Sequence, residues 1–211
     1  MRKIIFLIAV SLAMIRPLSA QEIELIPYAS FHWGGKLNFY DGEIKFKSSE
    51  NFGIALNVVM PAGTAIQLEY MNQPTSIDVR YWSELGSEYQ NYPVSNNWFQ
   101  IGALQQLDMG QLQPFGGITL GALYFKPRTN EIQEAWKFAM TGQIGLKYYI
   151  TDRIGIRIHG GILMPIQWAG FGFYFGSGGS GTSVNAGSYI IQGQIGGGLV
   201  FRLGSPGGQT N

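Results

Sequence analysis

Alternation of apolar and polar residues with a period of two is the feature that most limits how this chain can fold. In the stretch TDRIGIRIHGGILMPI, residues 151–166, five even positions are isoleucine, whereas Arg153, Arg157 and His159 occupy odd positions. A period of two places successive side chains on opposite faces of a β-strand. One face of this predicted strand is therefore apolar and the other carries charge.

Seven further segments show the same alternation, so the sequence predicts eight strands. The first two are long, at about 22–40 and 43–60, and Asp41 and Gly42 between them form a strong hairpin signal. The other six predicted strands have their apolar phase at 66–70, 99–107, 118–124, 136–150, 154–166 and 189–203.

The predicted connections alternate in length. Short turns fall at 61–63, 108–110 and 151–152, and longer links at the Asp41 hairpin, about 72–96, 126–134 and 167–187. An even number of antiparallel strands with short turns at one end and long loops at the other indicates an all-β, up-and-down transmembrane β-barrel. The limit of the second long loop stays open, because Ile77 and Val79 alternate in the phase opposite to the preceding strand.

The N-terminus predicts export. Arg2 and Lys3 precede an apolar run over residues 4–15, and small residues lead to a cleavage point after Ala20. The run is shorter than the roughly 20 residues that a membrane-spanning helix needs, and Arg16 interrupts it. We therefore expect a signal peptide at 1–20, one barrel domain at 21–203 and a flexible tail at 204–211.

Composition excludes several classes of function. The net charge is +1 and only 13% of residues are charged, which argues against nucleic acid as a partner. Cysteine is absent and histidine occurs only at His32 and His159, which argues against disulfides and multi-histidine metal sites. No cofactor is expected.

The polar face indicates which side of the sheet is enclosed. It is rich in glutamine and glycine and poor in charge, which is typical of a packed lumen. The charged residues on it are Glu69, Lys147, Arg157 and His159, at similar predicted depth. A buried charge without a partner is costly, so we expect a lumen network in which Glu69 pairs with Arg157 or Lys147. A soluble ligand-binding barrel remains an alternative, since alternation alone does not fix which face is inside.

Aromatic residues on the apolar face cluster toward the strand ends, as expected at the two edges of a membrane. Seven lie toward the long-loop end and two toward the short-turn end. In order, they are Trp33, Phe52, Tyr70, Phe99, Tyr124, Trp136 and Tyr189, then Tyr148 and Phe201.

The stretches LKYYITDRIGIRIHGG, residues 146–161, and QIGGGLVF, residues 194–201, carry a resemblance to a known family. With them the mature chain resembles the small eight-stranded outer-membrane β-barrels, the OmpA transmembrane domain and OmpX-like group. The resemblance implies a C-terminal signal read by the barrel assembly machinery, formed here by Gln194, Gly196, Leu199 and Phe201. The chain departs from that pattern because a tail follows Phe201.

Eight strands enclose an interior just wide enough for side chains to fill. We therefore expect a plugged structural or surface-interaction protein of a Gram-negative outer membrane, surrounded by outer-membrane lipid, with both termini periplasmic. An extracellular protein would dock on the hairpin between Lys36 and Lys47. The alternatives are a narrow conduit for small solutes or apolar molecules, and a lipid-modifying enzyme. For the enzyme, only Ser30 and His32 come close to a catalytic pair, and no carboxylate is placed to orient His32.

Overall fold

The computed structural model describes residues 22–39, 42–83, 86–129, 133–166 and 191–203. The predicted signal peptide, the tail and the predicted loop at 167–187 lie outside these residues. The described part of the chain is all-β, and none of it forms a helix long and apolar enough to cross a membrane.

Ten strands make up the described fold. They are β1 Glu22–His32, β2 Lys36–Phe39, β3 Gly42–Phe46, β4 Ser49–Val59, β5 Thr64–Ser83, β6 Gly86–Gln106, β7 Leu112–Pro127, β8 Ala135–Tyr149, β9 Ile154–Ile166 and β10 Gln192–Arg202. Eight of them, all except β2 and β3, form a closed antiparallel ring in the order β4-β1-β10-β9-β8-β7-β6-β5, with β5 pairing β4 again. The predicted eight-stranded barrel is confirmed.

The first two predicted strands are each interrupted. The first divides at residues 33–35 into β1 and β2, and the second at residues 47–48 into β3 and β4. The strands β2 and β3 pair as a hairpin from Lys36 opposite Lys45 to Phe39 opposite Gly42. The hairpin that the Asp41-Gly42 signal predicts is therefore present, although Asp41 itself lies outside the described residues.

The prediction of a long loop at about 72–96 is wrong, because the described residues of this range belong to β5 and β6. β5 and β6 pair without a break across this region, and Pro74 lies opposite Ser95 with no bulge. The inward-facing residues continue on odd positions from Gln73 to Ile77 and Val79, all buried. The apparent change of phase arises because the enclosed face turns from polar to apolar here, not because the strand ends.

A small sheet made of β2, β3 and the far parts of β5 and β6 continues past the ring. β4 leaves β5 after Phe52 opposite Asn72, and β7 leaves β6 after Pro127 opposite Val94. Beyond that level β3 takes over the edge of β5, with residues 42–46 paired to 77–81. We call residues 36–39, 42–46, 76–83 and 86–93 the projecting sheet. Buried apolar side chains on its inner face and at its base form one cluster: Ile44, Phe46, Ile77, Val79, Val94 and Phe125.

The apolar face of the ring points outward. Ile156 and Ile158 are 43% and 59% exposed on the outside, whereas the polar residues between the apolar positions are buried. The buried set includes Asn57, Gln67, Gln100, Thr119, Thr141, Gln143, Gln192 and Gln194. This arrangement is the reverse of a soluble barrel, whose apolar face would be inside. It is the arrangement of a barrel solvated by lipid.

Aromatic residues at the long-loop end are also outside. Trp33, Phe52, Tyr70, Phe99 and Trp136 are exposed there, while Tyr189 lies outside the described residues. At the short-turn end Tyr148 is exposed and Phe201 is half-buried.

Candidate functional site

The lumen of the ring is the candidate site, because most of the buried polar side chains collect in it. Glycines make room for large rings that cross it. A Cβ on Gly53 would come within 2.4 Å of the Tyr28 ring, and one on Gly145 within 2.5 Å of the Phe115 ring. These glycines thus serve to fit aromatic side chains inside a narrow barrel.

A buried ion pair closes the lumen near the short-turn end. The Lys147 ammonium donates to the Glu24 carboxylate, and both side chains are almost completely excluded from solvent. Tyr149 donates its hydroxyl to the same carboxylate over 2.5 Å, and the Asn57 amide donates over 3.0 Å. Three donors on one carboxylate offset much of the cost of burying its charge.

A cavity of about 510 Å³ opens between this ion pair and the short-turn mouth. Its lining includes Glu22, Glu24, Gln106 and Arg202. Arg202 pairs with Glu22, and its guanidinium lies 3.5 Å from the centre of the Tyr149 ring. The cavity is therefore a vestibule whose inner end is the Glu24 carboxylate.

Arg157 anchors the middle of the lumen. Its guanidinium donates to Gln143 over 2.6 Å and to Gln67 over 3.3 Å, and it stacks 4.5 Å from the centre of the Phe115 ring. Gln67 in turn donates to Glu69 over 2.6 Å. Glu69 is thus joined to Arg157 through an amide rather than directly.

The four predicted charged residues all lie in the lumen, but their contacts differ from the expected ones. Among the described residues Glu69 forms no ion pair; it accepts hydrogen bonds from Gln67 and from the Tyr28 hydroxyl. The expectation that Glu69 pairs directly with Arg157 or Lys147 is therefore wrong, and the partner of Lys147 is Glu24. Sequence reasoning missed Glu24, although its position between Ile23 and Leu25 on the alternating strand predicts an inward side chain.

His159 packs edge-on against Tyr28, with ring centres 5.2 Å apart. It is buried, and neither ring nitrogen has a hydrogen-bond partner within the described part of the chain. Its contacts in the lumen are therefore packing contacts.

A second polar layer lies toward the long-loop end. His32 shares a 2.7 Å hydrogen bond with Gln194, and the Trp98 indole donates to Gln73 over 3.0 Å. Gln73 also donates to Gln192 over 3.3 Å. Beyond this layer comes the apolar cluster of the projecting sheet, so side chains fill the lumen at each of these levels.

Ser30 and His32 are not arranged as a nucleophile and base. The Ser30 hydroxyl contacts the Met71 sulfur at 3.9 Å, and His32 is bonded to Gln194. Within the described ranges no carboxylate bonds either residue, and no group of three His, Asp or Glu side chains forms a possible metal site.

The residues of the C-terminal pattern lie on β10 with alternating orientation. Gln194 is buried in the lumen and Leu199 is exposed outside. A Cβ on Gly196 would come within 2.8 Å of the His159 ring, so packing alone requires glycine there, whether or not an assembly factor recognises it.

Comparisons with known proteins identify the fold. No protein-family model matches this sequence, and no curated protein does. Among solved structures, neisserial surface protein A has 10% identity and a TM-score of 0.52, with 87% of this chain and 97% of that one covered. OprG of Pseudomonas aeruginosa has 10% identity and a TM-score of 0.52, covering 88% and 97%. The N-terminal β-barrel domain of OprF from the same organism has 11% identity and a TM-score of 0.50, covering 85% and 97%.

Identities this low establish the fold alone. The chain has the closed eight-stranded β-barrel fold of small outer-membrane proteins, and the resemblance stated from the sequence is confirmed at that level.

Proposed function

We propose that this chain is an integral barrel of a Gram-negative outer membrane, with both termini periplasmic, whose lumen is a plugged core. Its function lies in contacts that the projecting sheet makes with an extracellular protein. The observation that carries this proposal is a filled lumen combined with a sheet that continues beyond the ring.

The plug supports a non-conducting role. Glu24 and Lys147 close the lumen near one end, Arg157 spans its middle, and the Gln73 layer and the apolar cluster follow. A solute would have to separate each of these layers. Separating the buried ion pair alone costs about 3–5 kcal/mol.

The projecting sheet supports a docking role because it has an available edge. β2 pairs with β3 on one side only, and no other described strand covers its second side. An uncovered edge presents backbone N–H and C=O groups that an added strand can pair with. The edge strand Lys36–Phe39 is therefore the part of the hairpin that we assign to an extracellular partner.

Charged pairs hold this hairpin in register. Glu43 contacts Lys36 at 2.5 Å and Arg80 at 3.5 Å, so one carboxylate links β2, β3 and β5. The hydrogen bond from Lys36 lowers the pKa of Glu43 and so favours its ionised form. A hairpin fixed before binding loses less conformational freedom when a partner pairs with it.

Photo-crosslinking on intact cells tests this assignment. A photoreactive residue at Asn38, on the edge strand, should give an adduct of defined mass with an extracellular protein. The same residue at Leu120, on the outward face of the ring, should give none. Equal adducts from both positions, or none from Asn38, would contradict the docking role.

The vestibule favours a second candidate, a narrow conduit. It leads from the mouth to Glu24, and unpartnered polar atoms of Arg157 and His159 lie deeper in the lumen. In this case the ion pair would act as a gate. The double variant Glu24→Gln, Lys147→Met should then conduct more than the wild type in planar bilayers, whereas the plugged reading predicts no channels from either.

The barrel assembly machinery is a further proposed partner, reading Gln194, Gly196, Leu199 and Phe201. Support comes from the alternating orientation of these residues on the last strand of the ring. Phe201→Ser should slow assembly by purified machinery, while Leu203→Ser, two residues further on, should not. Equal rates for both variants would remove the proposal.

A further inference from the structure

Four aromatic rings form a continuous row on the outside of the ring at the long-loop end. Tyr70 and Phe99 have centres 5.1 Å apart, Phe99 and Trp136 are 6.0 Å apart, and Trp136 stacks on Tyr124 at 4.7 Å. They belong to the adjacent strands β5, β6, β8 and β7. We call these four residues the aromatic row. Aromatic side chains of this kind lie at the boundary between acyl chains and lipid headgroups.

A polar collar lies directly beyond the row on β5 and β6. The Tyr70 hydroxyl donates to Asn97 over 2.9 Å, and the Asn72 amide donates to Asn97 and Ser95, each over 3.0 Å. Amides and hydroxyls that face outward at headgroup level can bond to the hydroxyls of a sugar.

Two cations stand beyond the row, Lys126 on β7 and Arg128 directly after the strand ends. Phe125 and Pro127 are buried, so the alternate residues Lys126 and Arg128 point outward, and both are exposed. The Arg128 backbone N–H bonds to the Pro93 carbonyl over 2.9 Å, which holds this end of β7 against β6. At about 3.3 Å per residue, the two cations lie about 7 and 13 Å along the strand from Tyr124.

These cations have no competing partner in the described part of the chain. Neither Lys126 nor Arg128 forms an ion pair there. The neighbouring carboxylate of Glu134 accepts a hydrogen bond from Tyr124 instead. The outward residue beyond Phe52 on β4, the strand that pairs with β5, is the exposed Glu50.

We propose that this surface binds a phosphorylated glycolipid of the outer leaflet. Its acyl chains lie along the aromatic row, its sugar contacts the collar, and its phosphate binds Lys126 and Arg128. A guanidinium matches phosphate oxygens in a bidentate manner, and basic residues beside a membrane attract anionic headgroups. The assignment to the outer leaflet rests on the orientation given under Proposed function, whereas the chemistry of the site is independent of that orientation.

Binding of lipid A to the folded protein in detergent micelles, followed by native mass spectrometry, tests the proposal. Lipid A is a glucosamine disaccharide that carries phosphate and acyl chains. The double variant Lys126→Gln, Arg128→Gln should bind it roughly 30-fold more weakly, at about fivefold for each cation. The control double variant Lys45→Gln, Arg153→Gln removes the same charge elsewhere and should bind as the wild type does.

Two further arms identify the ligand. Phosphatidylglycerol has the phosphate without the sugar, and the wild type should bind it more weakly than lipid A. Asn97→Ala should reduce the affinity for lipid A but not for phosphatidylglycerol. Equal binding of both lipids, or equal losses in the test and control variants, would overturn the proposal.

The outcome is independent of the protein-docking role. Micelles have no leaflets and contain no partner protein, so lipid A binding is measured even if Asn38 captures nothing. A heat-modifiable gel shift for each variant confirms that the barrel is folded before its affinity is compared.

Discussion

The buried ion pair between Glu24 and Lys147 makes the sharpest stability prediction. Both side chains are almost completely excluded from solvent, and Glu24 also accepts hydrogen bonds from Tyr149 and Asn57. Glu24→Gln keeps the shape of the side chain but leaves the Lys147 ammonium without a counter-charge. Removing one partner of a buried pair costs about 3–5 kcal/mol, so we expect a loss of that size in the free energy of unfolding.

The opposite variant should cost less. In Lys147→Met the Glu24 carboxylate keeps the donors Tyr149 and Asn57, so we expect a loss near the lower end of that range. The double variant contains no unpaired charge. It should therefore be more stable than the sum of the two single losses predicts, by at least about 2 kcal/mol.

Urea-induced unfolding in lipid vesicles, followed by tryptophan fluorescence, measures all four proteins of this cycle. Glu50→Gln, at an exposed position, is the control and should change the free energy of unfolding by less than about 0.5 kcal/mol. Additive losses in the double variant, or a loss below about 1 kcal/mol for Glu24→Gln, would refute the buried pairing.

Three other measurements follow from the same structure. Glu69→Ala removes the carboxylate that accepts hydrogen bonds from Tyr28 and Gln67, but it leaves no ion-pair partner unpaired. It should therefore lower the free energy of unfolding by about 1.5–3 kcal/mol in the vesicle assay, less than Glu24→Gln does. A larger loss would indicate that Glu69 forms a direct ion pair after all. A fluorophore on Ile156→Cys should be quenched by brominated lipid, while one on Gln143→Cys should not, and the reverse pattern would indicate a soluble barrel. Lys36 lowers the pKa of Glu43. Burial alone would raise the pKa of Asp78, but hydrogen bonds from Tyr89, Asn91 and Lys47 outweigh it, so this pKa is also lowered. Since both carboxyl groups have lowered pKa values when folded, their stabilisation is fully present above their ordinary values of 4.5 and 3.8 and is lost as the pH falls through the lowered values. The amide resonances of β3 should shift in that acid range while those of β7 do not, and an unshifted β3 would contradict the assigned pairs.

The architecture could be predicted from the sequence because strand periodicity carries the decisive information. Ile154, Ile156 and Ile158 alternate with Arg157 and His159, and the structure orients them outward and inward as that phase requires. The Asp41-Gly42 signal likewise indicated that β2 and β3 pair as a hairpin, since such a dipeptide between two alternating segments favours a tight turn.

The partners in the lumen could not be predicted, for a geometric reason. Counting from the turns gives the depth of a residue but not its direction across a closed ring. Glu69 and Lys147 have similar depth, yet Lys147 reaches Glu24 on β1. The alternation around Glu24 predicts that its side chain points inward, but not that it meets Lys147 across the ring.

The extent of β5 and β6 was also missed, because the enclosed face changes chemistry along its length. Within the ring Gln67 and Gln73 face inward, and in the projecting sheet Ile77 and Val79 do. A rule that assigns one polarity to one face fails where the surroundings of the sheet change from lipid to water.

The central claim is that lipid surrounds an apolar exterior and that side chains plug the lumen. Planar-bilayer conductance of the refolded protein, after its heat-modifiable gel shift has been verified, tests it most directly. The account predicts a folded barrel that gives no discrete channels. Reproducible single-channel steps from the wild type would contradict it.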